Sequence, residues 1–211
     1  FPSPVVRSAS GATTDLVVLQ DGTVWSRNAH ADGSAFSRVA GISDAVSVTV
    51  MFGGVGTFYA LKSDGTVWGW GDNAGGQLGD GTTRDRPTPA PVPGLTGVTQ
   101  ISASNGVLYA LKSDKTLWAL GANSVNGSAG IGSTEQKYFP LTQVVNGTDV
   151  ASVTARLRGG YFIKTNGELW SWGQGAGGSI GDGLETDRPS PVGITAPDTA
   201  SAAPTSSPVS R

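Results

Sequence analysis

The sequence predicts an all-β chain built from four copies of one unit, and three observations support that fold class. A short segment that ends in tryptophan recurs four times along the 211 residues. Glycine is abundant, at 32 residues, while charged residues make up only 14%. Stretches rich in valine and threonine alternate with glycine-rich turns, a composition typical of short strands joined by tight turns. The unit length of about 50 residues is that of a repeat protein.

The segment that ends in tryptophan has the pattern of a β-hairpin in every copy. Its turn is Asp-Gly in the first two copies, Asp114-Lys115 in the third and Asn166-Gly167 in the fourth. Asp-Gly and Asn-Gly favour a type I′ turn, in which both central residues have positive φ. We therefore predict type I′ hairpins, with Lys115 either strained or in a turn of another type. The hairpin residues expected to be structural are Gly22, Gly65, Gly167, Trp25, Trp68, Trp118 and Trp170.

Each unit continues beyond its hairpin with recurring features. Trp68-Gly69-Trp70-Gly71 matches Trp170-Ser171-Trp172-Gly173, and each run is followed by a loop containing Gly-Asp-Gly. A proline-containing segment then closes the unit, and a valine-rich stretch precedes the hairpin, so that each unit offers about three or four strands. Alternate residues of a strand share a face, so Trp70 and Trp172 join the hairpin tryptophans as structural residues that pack between units.

Residues 60–81, with their ordered glycines and paired tryptophans, resemble the repeat of the regulator of chromosome condensation family. The likeness extends over nearly all of residues 5–195 and is that of a bacterial-type member. It implies one antiparallel four-stranded blade per unit, arranged radially as in a β-propeller. Family members usually have about seven blades. Four units imply either a small closed ring or an incomplete ring that self-association completes.

The predicted domain organisation is a four-repeat propeller-like domain over residues 1–195, followed by a low-complexity segment over residues 196–211. Ser, Thr, Ala and Pro dominate this second segment, which is the composition of a tail or linker. The first repeat is degenerate, because it lacks the Gly-Asp-Gly loop after Trp25. Atypical terminal repeats often act as caps of a repeat array.

Composition argues against several functional classes. The formal net charge is −2, so the chain lacks the basic excess of nucleic-acid-binding proteins. No stretch of about 18 apolar residues predicts a membrane span. The chain has no cysteine, and His30 is its one histidine. The Gly-Asp-Gly loops at Asp80 and Asp182 offer oxygen ligands but lack the spacing of a calcium loop. We therefore predict no catalytic residue, no metal site and no cofactor.

Loops on a rigid β scaffold are the expected position of recognition residues. The segment 122–138 departs most from the repeat pattern and ends in Tyr138. Tyr and Arg are favoured anchors at protein interfaces. Phe36, Arg84 and Tyr138 are therefore the candidate partner-binding residues. For Arg84, as for Arg86 and Arg188, pairing with a nearby acidic residue is the alternative.

These observations predict a non-catalytic protein-binding or self-assembling scaffold module, with a protein or copies of itself as partner. The polar tail, the low charge and the absence of cysteine favour an extracellular or cell-surface location. A carbohydrate-binding module, in which tryptophans stack on sugars, is the first alternative. The family resemblance implies a second, a guanine-nucleotide exchange factor for a small GTPase.

Overall fold

The computed structural model describes residues 1–30, 33–51 and 56–195. Within these ranges the chain forms four antiparallel four-stranded sheets, one for each copy of the repeat, and the strands of each sheet follow their order in the chain. The all-β architecture of four four-stranded blades is thereby confirmed. The predicted low-complexity segment 196–211 lies outside the described residues.

The sixteen strands are named in chain order. Sheet A contains β1 (Val5–Ser10), β2 (Thr14–Leu19), β3 (Val24–Asn28) and β4 (Ser37–Arg38). Sheet B contains β5 (Ala45–Met51), β6 (Thr57–Lys62), β7 (Val67–Gly71) and β8 (Arg86–Pro91). Sheet C contains β9 (Val98–Ser104), β10 (Val107–Lys112), β11 (Leu117–Ala122) and β12 (Tyr138–Gln143). Sheet D contains β13 (Val150–Arg156), β14 (Gly159–Lys164), β15 (Leu169–Gly173) and β16 (Arg188–Ile194).

The hairpin turns are present at the predicted positions, but their type differs from the prediction. In sheet A the turn spans three residues, 20–22, and the N–H of Leu19 donates to the carbonyl of Thr23 across it. Asp21 does not have positive φ, whereas Gly22 has a φ of 76°. This is the three-residue hairpin in which a type I turn is followed by a left-handed bulge residue. The prediction of type I′ turns was wrong.

The side chain of the Asp or Asn at the start of the turn explains this turn type. The carboxylate of Asp21 accepts hydrogen bonds from both the backbone N–H and the hydroxyl of Thr23. Asp64 with Thr66 and Asp114 with Thr116 repeat this pair of bonds. Because the aspartate side chain accepts hydrogen bonds from the residue two positions ahead, it favours an Asx turn. The positive φ then falls on the residue that follows the aspartate and not on the aspartate itself. In the third copy that residue is Lys115, with a φ of 68°, so the lysine is in a strained conformation and the turn is also of another type than I′.

Neighbouring sheets pack face to face along an arc. The first strands of the sheets, β1, β5, β9 and β13, lie side by side in that order. Three hydrophobic clusters fill the spaces between A and B, B and C, and C and D. We call the face toward the next sheet the trailing face and the opposite one the leading face. In sheet B the trailing face carries Tyr59, Leu61 and Val67, and the leading face carries Val48, Ala60 and Trp70.

The repeat tryptophans occupy equivalent positions. Each hairpin tryptophan lies opposite the equivalent position of the preceding strand. The pairs are Val17–Trp25, Ala60–Trp68, Ala110–Trp118 and Phe162–Trp170. Trp70 and Trp172 are buried between sheets, with 6% and 0% of their surface exposed. Trp68 packs against the same core cluster as Trp70, as the strand periodicity predicts.

The arc is open at its ends. In the part of the chain that the structure describes, sheet D makes no substantial contact with sheet A. Four blades therefore do not close on themselves, and the incomplete ring is the alternative that the structure favours. The one helical segment of the described ranges is the 3-10 turn Ala176–Gly178, and no helix there has the length and apolar character to cross a membrane.

Candidate functional site

The loops between the third and fourth strands lie at one end of the arc, here called the loop end. They are loop B (residues 72–85), loop C (123–137) and loop D (174–187), with a shorter counterpart in sheet A. The tight turns between first and second strands lie at the same end, because consecutive antiparallel strands reverse direction. The tryptophan hairpins lie at the opposite end.

Loop B is held in one conformation by its own polar side chains. Arg86 forms an ion pair with Asp80 at 2.6 Å, and the same carboxylate accepts hydrogen bonds from the backbone and hydroxyl of Thr82. Partial burial raises the pKa of Asp80, but the bonds from Thr82 and Arg86 outweigh it and hold that pKa below its usual range. The side chain of Asn73 donates to the carbonyl of Thr82 and accepts from the N–H of Leu78.

Loop D repeats this arrangement. Arg188 pairs with Asp182 at 2.7 Å, and Asp187 accepts a hydrogen bond from the N–H of Gly175. The hydrogen bond from Arg188 contributes most to lowering the pKa of Asp182. Asp80 and Asp182, the residues considered as calcium ligands, are therefore engaged by arginines. In the described ranges no three His, Cys, Asp or Glu side chains are grouped so that they could hold a metal ion.

Tyr138 stands between two cavities at the loop end. Its side chain is 56% exposed, and its ring lies against Gly75 of loop B so closely that a Cβ at that glycine would collide with it. A cavity of about 310 Å³ on one side is lined by glycines of loop B together with Thr82, Thr83, Leu120, Tyr138, Phe139 and Pro140. A cavity of about 220 Å³ on the other side includes Met51, Asp72, Asn105 and Tyr138 in its lining. An aromatic side chain thus separates two clefts.

The equivalent space between loops C and D is closed by direct contacts. The side-chain amide of Asn126 donates to the carboxylate of Asp187 at 2.6 Å. The N–H of Gly132 donates to the carbonyl of Pro189 at 2.9 Å. The contacts between loops C and D therefore differ from the open clefts beside Tyr138 at the boundary between sheets B and C.

The other two candidate residues lie in different surroundings. Arg84 is exposed and follows Thr83, which lines the larger cavity, and it forms no ion pair with any residue the structure describes. Phe36 lies on sheet A, with its ring 5.2 Å from that of Phe1 and the Arg27 guanidinium 5.1 Å from its centre. The structure therefore places Thr83, the chain neighbour of Arg84, in the cavity that Tyr138 lines, and it places Phe36 on another sheet.

A second exposed surface was not assigned to particular residues from the sequence. Tyr161, Ile163 and Leu169 of sheet D are 39%, 41% and 39% exposed. They align with buried residues of the earlier repeats, so alignment of the four copies could have identified them. The incomplete ring, one of the two arrangements expected from the sequence, leaves such a face uncovered.

Two models of the regulator of chromosome condensation (RCC1) repeat match the chain, one over residues 64–111 and one over residues 48–77. The matched sequence covers most of sheet B and the first half of sheet C. These matches support the RCC1 repeat family that the sequence resemblance implied.

Curated relatives align over most of the chain. The ultraviolet-B receptor UVR8 of Arabidopsis thaliana is 29% identical over 209 residues, which cover 92% of this chain and 47% of the receptor. The human E3 ubiquitin-protein ligase HERC2 is 31% identical over 187 residues, which cover 82% of this chain and 4% of the ligase. The chain therefore spans less than half the length of these relatives.

Solved structures share the fold. Human WBSCR16 superposes with a TM-score of 0.77 at 22% identity, over 93% of this chain and 54% of that protein. Prp20p of Saccharomyces cerevisiae, described with its binding to Gsp1p and histones, gives 0.74 at 21% identity, over 93% and 51%. Yeast RCC1 (Prp20) bound to Kap60 gives 0.75 over 93% and 49%. The four sheets therefore form an RCC1-like β-propeller arc about half as long as these chains.

Proposed function

We propose that this chain is a non-catalytic protein-binding module and that it recognises its partner through the clefts on either side of Tyr138. The observation that carries the proposal is an exposed aromatic ring fixed between two cavities on ordered loops. Tyrosine is enriched among the residues that dominate binding energy, particularly beside pockets that a partner can fill.

The loops that form the clefts are ordered before a partner binds. Asp80 links Arg86, Thr82 and Asn73 in loop B, and Gly75 of the same loop supports the Tyr138 ring. A side chain that is already fixed loses little conformational freedom on binding, so more of the contact energy appears as affinity. This preorganisation favours specific recognition of a folded partner or an extended peptide.

The lining of the larger cleft indicates what such a partner would present. Leu120, Phe139 and Pro140 supply apolar surface, and Thr82 and Thr83 supply hydroxyl groups at the rim. Arg84 adds an exposed cation close by in the chain. An apolar side chain packed against Tyr138, with an acidic group directed to Arg84, would satisfy both features.

The comparisons agree with a protein partner without identifying one. The yeast structures of the same fold are described with Gsp1p, histones or Kap60 as partners. This chain covers about half of those proteins, so none of these partners is carried over to it. Guanine-nucleotide exchange, the alternative implied by family resemblance, has no independent support in the loop geometry.

A carbohydrate-binding role has less support, because the repeat tryptophans are already engaged. The ammonium groups of Lys62, Lys112 and Lys164 lie 5.2, 4.8 and 4.8 Å from the ring centres of Trp68, Trp118 and Trp170. Trp70 and Trp172 are buried between sheets. Stacking on a sugar requires a free aromatic face, and a lysine already occupies one face of each of these three hairpin tryptophans.

An extracellular or cell-surface location and a bacterial source remain part of the proposal. They are supported by the absence of cysteine and the low fraction of charged residues. Detection of the protein on intact cells or in the culture medium of its native host tests the location. A pool confined to the cell interior would contradict it.

Binding by substituted proteins tests the role of Tyr138. The full chain is immobilised, exposed to protein from the native host and chemically cross-linked, and retained proteins are quantified by mass spectrometry. Tyr138→Ala is expected to weaken retention of a defined partner by about 30-fold or more, as for an interface hot spot. Leu184→Ala is the matched control, since Leu184 is 52% exposed but lies in loop D.

Two outcomes would contradict the proposal. Retention of the same proteins by wild type and Tyr138→Ala would show that the clefts are not the binding site. Binding of glycans on an array, with loss in tryptophan variants, would favour the carbohydrate alternative. Arg84→Ala provides a second measurement. An acidic partner is expected to bind this variant more weakly, and its binding should depend less on the salt concentration.

A further inference from the structure

A cavity at the loop end of sheet D has two arginines in its lining. Its volume is about 260 Å³, and its lining consists of Arg156, Leu157, Arg158, Gln174, Ala176 and Ser179. The first three residues form the end of β13 and the turn into β14, and the other three belong to loop D. Among the described residues, no acidic side chain lines the cavity. It therefore concentrates two positive charges in a chain whose net charge is −2.

The equivalent place in the second repeat is a cavity of different charge. Four residues of the smaller cleft beside Tyr138 are counterparts of lining residues in sheet D, by strand register and by alignment of loops B and D. In chain order they are Met51, Asp72, Ala74 and Gln77, for Arg156, Gln174, Ala176 and Ser179. The repeat thus builds a cavity at this position twice. Its lining contains a carboxylate in sheet B and guanidinium groups in sheet D.

The guanidinium of Arg156 is held in place by backbone carbonyls. It donates to the carbonyl of Ser179 at 2.6 Å and to those of Trp172 and Gln174 at 3.3 Å each. Its Nε is buried and has no hydrogen-bond partner among the residues that the structure describes. Carbonyl groups accept hydrogen bonds but carry no net charge, so they do not neutralise a guanidinium. The side chain is therefore fixed in position while its positive charge lacks a counter-charge within the lining.

Arg158 and Gln174 add polar groups that are not engaged elsewhere. Arg158 is exposed, and its carbonyl accepts a hydrogen bond of 2.9 Å from the N–H of Gln174, which anchors the turn to loop D. Within the described ranges, neither side chain forms a hydrogen bond or an ion pair. The free groups of this cavity are thus mainly hydrogen-bond donors, and a ligand that complements them is a hydrogen-bond acceptor with negative charge.

The acidic residues of loop D do not neutralise the two arginines of the cavity. Asp182 forms its ion pair with Arg188, and Asp187 accepts a hydrogen bond from the N–H of Gly175. Glu185 is exposed and is not part of the lining. An anion that enters the cavity would therefore not have to displace a carboxylate of the chain.

We propose that the cavity between the β13–β14 turn and loop D is a phosphate-binding site. Its ligand is a phosphate group, either free or carried by a phosphorylated peptide, whose charge approaches −2 near neutral pH and so matches the two arginines. Guanidinium groups form charge-assisted, frequently bidentate hydrogen bonds with phosphate oxygens. A single carboxylate would leave one of the two positive charges unmatched. Leu157, which is 64% exposed, offers an apolar contact beside the phosphate.

This site is independent of the proposed function, because it shares no lining residue with the clefts at Tyr138. Titration of the full chain, followed by the amide shifts in NMR spectra, tests it. The probes are inorganic phosphate, acetate and a short peptide with phosphoserine next to leucine, at constant ionic strength and about pH 7.5, where phosphate is largely a dianion. Saturable shifts are expected at residues 156–158 and 174–179, with acetate bound at least about fivefold more weakly than phosphate.

The peptide distinguishes the two sources of the phosphate group. A phosphopeptide that binds more tightly than inorganic phosphate, while its unphosphorylated form does not bind, would assign the ligand to a protein partner. Equal affinities of the phosphopeptide and inorganic phosphate would assign it to free phosphate. Both results support the site.

Substituted proteins test the two arginines after circular dichroism has shown that they are folded. Arg158→Gln changes an exposed side chain and is expected to weaken phosphate binding by about tenfold. Arg156→Lys retains the charge but loses the planar arrangement of donors, so weaker binding is expected here too. Arg38→Gln is the matched control, since Arg38 is exposed on β4 of sheet A, and it should bind phosphate like wild type.

Three results would overturn the proposal. The first is the absence of saturable shifts at residues 156–158 and 174–179, which would leave Arg156 with only its structural role in holding loop D. The second is equal affinity for phosphate and acetate, since the site would then not select a doubly charged ligand. The third is unchanged phosphate binding by the folded Arg158→Gln variant.

Discussion

The indole N–H of Trp172 donates a hydrogen bond to the backbone carbonyl of Ser128, 3.0 Å away, and so joins sheet D to loop C. The hydroxyl of Tyr109 in sheet C donates to the same carbonyl. The rings of Trp172 and Tyr109 meet edge to face with centres 5.3 Å apart, and both are buried. Burial raises the pKa of Tyr109, so the phenol remains a donor across the working pH range. This cluster fixes the position of loop C relative to the last sheet.

Substitution of Trp172 is expected to destabilise the whole domain. Trp172→Ala should lower the free energy of unfolding by about 3–5 kcal/mol, because it leaves a cavity between sheets C and D. Trp172→Phe removes the indole donor but retains most of the ring, and about 1–3 kcal/mol is expected. Urea unfolding followed by circular dichroism measures both. Trp170→Phe is the control, since its indole bonds only to the exposed Glu168, and equal losses at the two positions would contradict the argument.

The sheets were predictable from the sequence because each copy repeats its own local signals. Alternation along β7 placed Trp68 and Trp70 on one face, and both pack toward sheet A. The turn type was not predictable from Asp-Gly alone, because that dipeptide fits two hairpin geometries. The choice depends on the side-chain oxygen of the Asp or Asn, which accepts a hydrogen bond from the N–H two residues ahead, as from Thr23 to Asp21 and from Glu168 to Asn166.

The candidate site was predictable only in part, because it depends on contacts between different repeats. An exposed loop aromatic could be selected at Tyr138 from local sequence. The supporting glycine at position 75 lies in the preceding repeat, and nothing local links the two. Phe36 had similar local features, but a contact with Phe1 at the chain's N-terminus places it on another surface. Contacts between residues so far apart in the chain cannot be predicted from the local sequence around either residue.

Equivalent positions in different repeats provide an internal comparison for the exposed face. Leu111→Ala is expected to destabilise the chain by about 2–5 kcal/mol, since Leu111 is 2% exposed between sheets C and D. Ile163→Ala, at the matching position of sheet D with 41% exposure, should cost about 1 kcal/mol or less. Urea unfolding of the two variants under one set of conditions gives the comparison. Equal losses would show that sheet D's trailing face is covered in solution.

The third hairpin carries a lysine in a left-handed conformation, and this strain is removable. Lys115→Gly is expected to stabilise the chain by about 0.5–1 kcal/mol, because the relief of side-chain strain exceeds the added freedom of glycine in the unfolded state. The reverse change, Gly65→Lys at the same turn position, should destabilise it by about 1–2 kcal/mol. A Cβ at Gly65 would also lie 3.2 Å from the Cα of Gly97.

Thermal unfolding monitored by circular dichroism measures both hairpin variants. Lys115→Asn serves as an intermediate case, because asparagine tolerates positive φ better than lysine does. The unfolding temperature is expected to be highest with Gly at position 115, lower with Asn and lowest with Lys. An unchanged or lowered unfolding temperature for Lys115→Gly would mean that the lysine side chain makes a compensating contact.

The ion pair in loop D makes stability depend on acid pH. Arg188 and the N–H of Leu184 lower the pKa of Asp182 in the folded chain from its ordinary value of 3.8. A carboxyl whose pKa is lowered by folding contributes stability above its unfolded pKa and loses it as the pH falls through the folded pKa. Asp182→Asn should therefore lower the unfolding temperature at pH 6, and the difference from wild type should shrink progressively below about pH 4.

Differential scanning calorimetry of wild type and Asp182→Asn between pH 6 and pH 3 provides the measurement. Glu185→Gln is the matched control, because Glu185 lies in the same loop and is exposed, and no ion pair to it occurs among the residues that the structure describes. Its unfolding temperature should follow that of wild type at every pH. A difference between Asp182→Asn and wild type that stays constant down to pH 3 would show that Asp182 acts through loop geometry alone, without a contribution from its charge.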